Sequence, residues 1–203
     1  MSRFHFDDAA QKRVRDSVLG PGLYGPFSKE GRYVYIDKGR LAQKLQKQFA
    51  VDTIMQRHNG DAACVEEKIV RWPGYAYTSL TLETKSCTIP GHESDGWMKY
   101  GQADLLHWAM CQEDGNVLSH LIDFQKLQEA FWPSVESFKE TITDQNNRTA
   151  CRIVPLSWIE KQGVGVFKRM IHATPEGAEA VMAFNGSHYK RPVVAGPVQE
   201  TFL

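Results

Sequence analysis

The sequence is short of cysteine, with four in 203 residues: Cys64, Cys87, Cys111 and Cys151. They are scattered and form no CxxC pair, so neither a zinc ribbon nor a disulfide framework is expected. Charge of one sign is not in excess either, since 24 basic residues balance 24 acidic ones. A protein that coats nucleic acid without specificity would be basic overall, so any phosphate contact has to come from a local patch. No apolar run approaches the roughly 18 residues of a membrane span. The opening stretch, MSRFHFDDAAQ, lacks the apolar segment of a signal peptide. Repeats and low-complexity tracts are also missing. The remaining composition, 42 % hydrophobic and 24 % charged, is that of an ordinary globular protein. These features predict one domain with a substantial core, in a reducing, cytoplasmic setting and without a membrane partner.

Organisation follows from spacing. Asp7 or Asp8 is placed to cap a first helix, with Ala10, Val14 and Val18 on one face, and "LGPGLYGPF" is expected to stop it. In "RLAQKLQKQFA", Leu41, Leu45 and Phe49 recur every four residues, a helical stripe. "VDTIM" and "ACVEEKIV" read as two strands joined by the Asn-Gly turn of "QRHNGDA". "YTSLTLETKSC" is a third strand, with Leu80 and Leu82 on one face and Thr81, Glu83 and Lys85 on the other. "ADLLHWAM" and "VLSHLID" make a second hairpin, followed by a helix in "FQKLQEAFW" with Asp123 as its cap. "CRIVPLSWI" is expected as a late strand that Pro155 confines to an edge or ends early, and "GSHYKRPVVAGPVQETFL" as a loop. The order predicts an α/β domain with a mixed central sheet flanked by helices.

One segment raises a question. "ACVEEKIV" has the apolar residues of a buried strand, yet Glu66, Glu67 and Lys68 stand in succession within it. Alternation puts Glu66 and Lys68 on one face and Glu67 on the other, with Asp52 on the partner strand. Two carboxylates at that separation suit a hard cation such as Mg²⁺, which prefers oxygen ligands and retains water. Such a cation polarises a phosphoryl oxygen and acidifies water, while a lysine orients that water and offsets charge developing at phosphorus. The plain alternative is a cross-strand salt bridge on a solvated face, worth about 0–1 kcal/mol.

The order Asp52, hairpin, then Glu66-x-Lys68 resembles the PD-(D/E)xK nuclease superfamily. "DGWMKYGQADLLHW", "LIDFQKLQEAF" and "IVPLSW" look similar to segments of its bacterial and phage members. The resemblance implies a restriction-endonuclease-like core at about residues 38–160 of one nuclease-like domain spanning 1–203, with N-terminal helical and C-terminal extensions. It implies a Mg²⁺-dependent nuclease, with Mn²⁺ as a substitute, that hydrolyses DNA phosphodiesters to 5′-phosphate and 3′-hydroxyl ends. Asp52, Glu66 and Lys68 would be catalytic. Asp52, Glu66 and the backbone carbonyl of Glu67 would hold the metal, with Glu83 as a further ligand. A bacterial or phage-encoded origin, and a homo-oligomer or protein partner to supply specificity, go with that reading.

There are departures. Val51 stands where the motif has proline, and Gln43 and Gln46 occupy the preceding helix where some members carry a glutamate ligand, so one metal is as compatible with the residues as two. A competing Glu-x-Lys, Glu83 and Lys85, lies on the next strand. Lys44 and Lys47 on the helix, with Lys38 and Arg40 before it, and Lys99 beside Trp97 and Tyr100, are candidate nucleic-acid contacts. The alternative to a nuclease is an inactive protein of the same fold that binds nucleic acid or protein.

Overall fold

The computed structural model of the chain describes residues 3–36, 44–46, 48–71, 78–144 and 148–186. Leu41, Gln43, Lys38, Arg40, Lys47 and the segment after Gly186 therefore lie outside the described residues. The helices are α1 (Arg3–Val14), α2 (Trp97–Tyr100), α3 (Phe124–Phe131), α4 (Leu156–Lys161) and α5 (Pro175–Asn185). The strands are β1 (Tyr33–Tyr35), β2 (Thr53–Gln56), β3 (Ala62–Val70), β4 (Ser79–Cys87), β5 (Ser94–Asp95), β6 (Leu105–Cys111), β7 (Val117–Asp123), β8 (Lys139–Asp144), β9 (Thr149–Pro155) and β10 (Val166–Ile171).

Six strands form the central sheet in the order β1-β2-β3-β6-β7-β10. Its β3–β6 pair is parallel and its other pairs are antiparallel, so the sheet is mixed, as expected. β6, reading LLHWAMC, is buried along almost its whole length, as a strand covered on both faces requires. On the back face, Ala63, Val65 and Ile69 of β3 pack with Val14, Val18 and Leu23 of the N-terminal segment and with Val181 and Phe184 of α5. On the front face, Leu106, Trp108 and Ile122 pack with Leu80 and Leu82 of β4, Leu127 and Phe131 of α3 and Ile159 of α4. Each large apolar side chain buried in this way contributes about 1.5–3 kcal/mol. Among the described residues no helix is long and apolar enough to cross a membrane.

The first helix begins at Arg3, so Asp7 and Asp8 lie inside it and do not cap it, and four further features differ from the sequence expectations. "LGPGLYGPF" does not stop the first helix: residues Arg15–Tyr24 continue it as wider π-helical turns with Pro21 inside. The i→i+5 spacing, seen in the Gly25 N–H donating to the Gly20 carbonyl, tolerates the proline. Gly22 lets this segment lie flat on β10, since a Cβ there would meet Ile171 Cγ2 at 2.3 Å. Second, β4 does not join the central sheet. It pairs with β5 and β9 in a separate antiparallel sheet ordered β5-β4-β9-β8. Third, "CRIVPLSWI" ends as a strand at Pro155, the early end expected of the proline, but the residues after it form a helix, α4, where none was expected. Fourth, β8, β10 and α5 have no counterpart in the expectations, although Thr174 caps α5 through the Gly177 N–H and Gly186 closes it at φ 79°.

The two hairpins, the helix Phe124–Phe131 and its cap are where the sequence places them. The Asp123 side chain accepts from the Lys126 N–H at 3.1 Å, a cap worth about 1 kcal/mol.

Candidate functional site

Asp52 lies one residue before β2, where its side chain takes over from the backbone ladder. Its N–H donates to the Val65 carbonyl at 2.8 Å, and its Oδ2 accepts from the Glu67 N–H at 2.9 Å. The other oxygen, Oδ1, accepts from Gln46 Nε2 at 3.2 Å, and the same amide donates to the Ile36 carbonyl at 2.7 Å. The carboxylate is thus bonded at both oxygens before any other side chain reaches it. Ala50, two residues earlier, has φ 50° and is buried. A Cβ-bearing residue in that region is strained by roughly 1–2 kcal/mol.

Glu66 projects from the front of β3, next to the Glu67 N–H that binds Asp52, so the two carboxylates are neighbours across the β2–β3 register. Lys68, two residues on, shares that face and pairs with Glu66. Its ammonium also stands 5.0 Å above the ring of Trp97, a cation–π contact. Trp97 reaches this position because Gly96 presses against β4. A Cβ on Gly96 would meet the Glu83 carbonyl oxygen at 2.4 Å. That close approach accounts for the Gly-Trp pair in the sequence.

The electrostatics follow from crowding. Burial, together with the neighbouring Asp52, pushes the Glu66 carboxyl up to about 7, against the opposing pull of Lys68. Burial alone would lower the Lys68 ammonium, but Glu66, Asp52 and, more weakly, Glu83 hold it above the ordinary lysine range. Tyr100 is raised by burial and by the negative charges of Glu83 and Glu66.

Glu67 points to the other side of the sheet, as alternation requires. There its carboxylate pairs with Arg15, accepts from the Tyr24 hydroxyl at 2.6 Å and lies 3.3 Å from His107 Nδ1. His107 Nε2 is 2.6 Å from Ser119 Oγ. Burial raises the Glu67 carboxyl, but His107, Arg15 and Tyr24 outweigh it and bring the group down to about 2. The acid–imidazole–hydroxyl chain Glu67–His107–Ser119 is closed over on every side and out of reach of a substrate. Cys111, further along the same strand, is buried too, and burial pushes its thiol up to about 12.

The structure therefore brings Asp52, Glu66 and Lys68 together. Glu83 is not gathered with them: it accepts from Ser86 Oγ on β4, and among the described residues no three His, Cys, Asp or Glu side chains group as metal ligands. Lys85 pairs with Asp95 at 2.6 Å, away from the cluster. Lys99 is 3.0 Å from the same aspartate, and Lys44 is exposed on its helix. A cavity of about 520 Å³ opens beside β4, with Lys85, Lys99, Arg152 and Trp132 among its walls, but none of the three clustered residues lines it. Sequence reasoning did not identify Gln46 as a partner of Asp52, Trp97 as a partner of Lys68, or Arg15, Tyr24 and His107 as partners of Glu67.

Two carboxylates face one ammonium on the front of β3, which leaves an excess of negative charge in a half-buried position. Mg²⁺ takes one or two carboxylates and keeps several waters, so an Asp–Glu pair is a sufficient donor set for it. No protein-family model, no curated protein and no solved structure matches the chain.

Proposed function

We infer that this protein is a Mg²⁺-dependent nuclease that hydrolyses DNA phosphodiesters, built on a restriction-endonuclease-like core. One observation carries the reading: Asp52, just before β2, accepts at Oδ2 from the Glu67 N–H and so lies beside Glu66 of β3, whose carboxylate pairs with the Lys68 ammonium. Asp52, Glu66 and the backbone carbonyl of Glu67 would hold the cation, and Mn²⁺ would substitute for it. A cation so held polarises a phosphoryl oxygen and acidifies water. Lys68 orients the attacking water and offsets the charge that builds on the phosphoryl oxygens. The water oxygen bonds to phosphorus as the bond to the 3′ oxygen breaks, leaving 5′-phosphate and 3′-hydroxyl ends. Gln46 keeps Asp52 from turning away, and Trp97 limits the sweep of the lysine chain. Glu83 adds a weaker negative charge to the surroundings of Lys68, and Lys44 and Lys99 would meet the DNA backbone.

The test uses the full chain on linear, circular, single-stranded and branched DNA, with Mg²⁺ or with EDTA. Cleavage that needs the metal and disappears in Lys68→Ala, with the circular dichroism spectrum unchanged, is the expected result. Retention of DNA in a shift assay, without cleavage in Mg²⁺ or Mn²⁺, would overturn it in favour of a binding module. The ion pair that already ties Lys68 to Glu66 is the feature such a module would share.

A further inference from the structure

The Asp52–Glu66 pair has a support behind the sheet, in the Glu67 side chain, which the proposed reaction does not use. Glu67 sits between Glu66 and Lys68, and its backbone N–H is one of the two bonds that hold Asp52. Where this residue lies decides where all three front-face groups lie. Its side chain, on the opposite face, is gripped by Arg15 and by Tyr24, both contributed by the N-terminal helical segment, and by His107 of β6. Tyr24 and His107 are themselves 2.8 Å apart, and Ser119 of β7 secures the far nitrogen of the imidazole. Tyr24, Glu67, His107 and Ser119 are all buried, and Arg15 is nearly so. A charge-bearing network of this kind, with each member bonded to the next, has one low-energy arrangement.

We propose that Glu67 is a positioning residue, through which the N-terminal segment (Arg15 and Tyr24) and His107 hold Asp52 and Glu66 at metal-binding separation. This rests on the reading of the Asp52–Glu66 pair as a cation site. The network acts on that site through the β3 backbone: with Glu67 anchored at the back, the strand cannot rotate its pleat, and the N–H to Asp52 stays aligned. Outer partners of metal ligands typically change metal affinity 10–100-fold when removed. The expectation here is about tenfold for the charge-removing change and a few-fold for loss of one hydroxyl.

The experiment measures Mn²⁺ binding to the full chain by calorimetry and by electron paramagnetic resonance, for the unaltered protein, Asp52→Asn, Glu67→Gln and Tyr24→Phe. The expected result is binding that Asp52→Asn removes, that Glu67→Gln weakens about tenfold and that Tyr24→Phe weakens less. At saturating Mn²⁺ the Glu67→Gln spectrum should also differ from that of the unaltered protein, because the ligands are held differently. A variant that was merely less stable would bind fewer equivalents, with unchanged affinity and spectrum. If Asp52→Asn abolishes binding but both back-face variants bind with the original affinity and spectrum, the positioning role is overturned and the metal site stands. If the unaltered protein binds no Mn²⁺, or Asp52→Asn leaves binding intact, the metal site falls and the positioning role with it. Tyr24→Phe, which removes no charge, decides the matter should Glu67→Gln fail to fold.

Discussion

On the back of β3, Glu67 meets one full positive charge and further polar partners, and its carboxyl is held down at about 2. On the front, Glu66 meets one ammonium and a second carboxylate, and its carboxyl is pushed up to about 7. Both side chains are almost wholly buried and stand next to each other in the sequence, so the contrast comes from their partners. Desolvation disfavours the charged form at either position. The back supplies enough donors to offset it and the front does not. A buried arrangement left short of positive charge is stable only with a proton, or with a cation brought from outside. On the function proposed above, that asymmetry is what would separate a structural ion pair from a cation site.

The comparison breaks first at Arg15. Arg15→Met leaves the Glu67 carboxylate buried without its cation, and the expected loss is about 3–5 kcal/mol in urea unfolding. A loss of under about 1 kcal/mol would put the pair in the class of exposed ion pairs and remove the contrast.

The front face is sharpened by pH. The unfolded chain ionises Glu66 near the ordinary 4.5, while the folded chain keeps the proton to about 7. Between those values the folded state binds more protons, so this group's contribution to stability falls as pH rises. Glu66→Gln removes that fall. Relative to the unaltered protein it should gain roughly 3 kcal/mol from below pH 4.5 to above pH 7, read from urea midpoints across the range. A difference that does not change with pH would contradict the raised carboxyl.

Smaller effects test the supports of the front cluster. Trp97→Phe keeps an aromatic ring but weakens its attraction for the Lys68 ammonium, by about 0.5–1 kcal/mol. Cleavage should slow a few-fold with little change in KM. Ala50→Gly relieves the left-handed strain before Asp52 but loosens the unfolded chain, so a net gain of under about 1 kcal/mol is expected in thermal unfolding. A loss there would show that the buried methyl group matters more than the backbone angle.

Much of this could be read from residue order, for a definable reason. Alternation along "ACVEEKIV" determines which side chains share a face, and the Asn-Gly turn sets the hairpin, so Asp52, Glu66 and Lys68 were predictable as neighbours. Alternation does not reveal what waits on a face. The Arg15–Glu67 contact spans 52 positions and Tyr24–His107 spans 83, and no local pattern encodes either. The separate sheet containing β4 was hidden for the same reason. Its partner, β9, lies far along the chain, and no local pattern points to it. Gln46 was noticed only as a missing glutamate, and its bond to Asp52 depends on how the helix end turns at Ala50.

β3 lies inside the sheet, bonded to β2 on one side and β6 on the other. Sliding it by a single residue against those neighbours would bring Glu67 to the front and drive Glu66 and Lys68 into the apolar packing behind. Three adjacent charges thereby make every odd-numbered slip of this strand unfavourable. The residues proposed for chemistry would also keep the two faces of the strand from being exchanged.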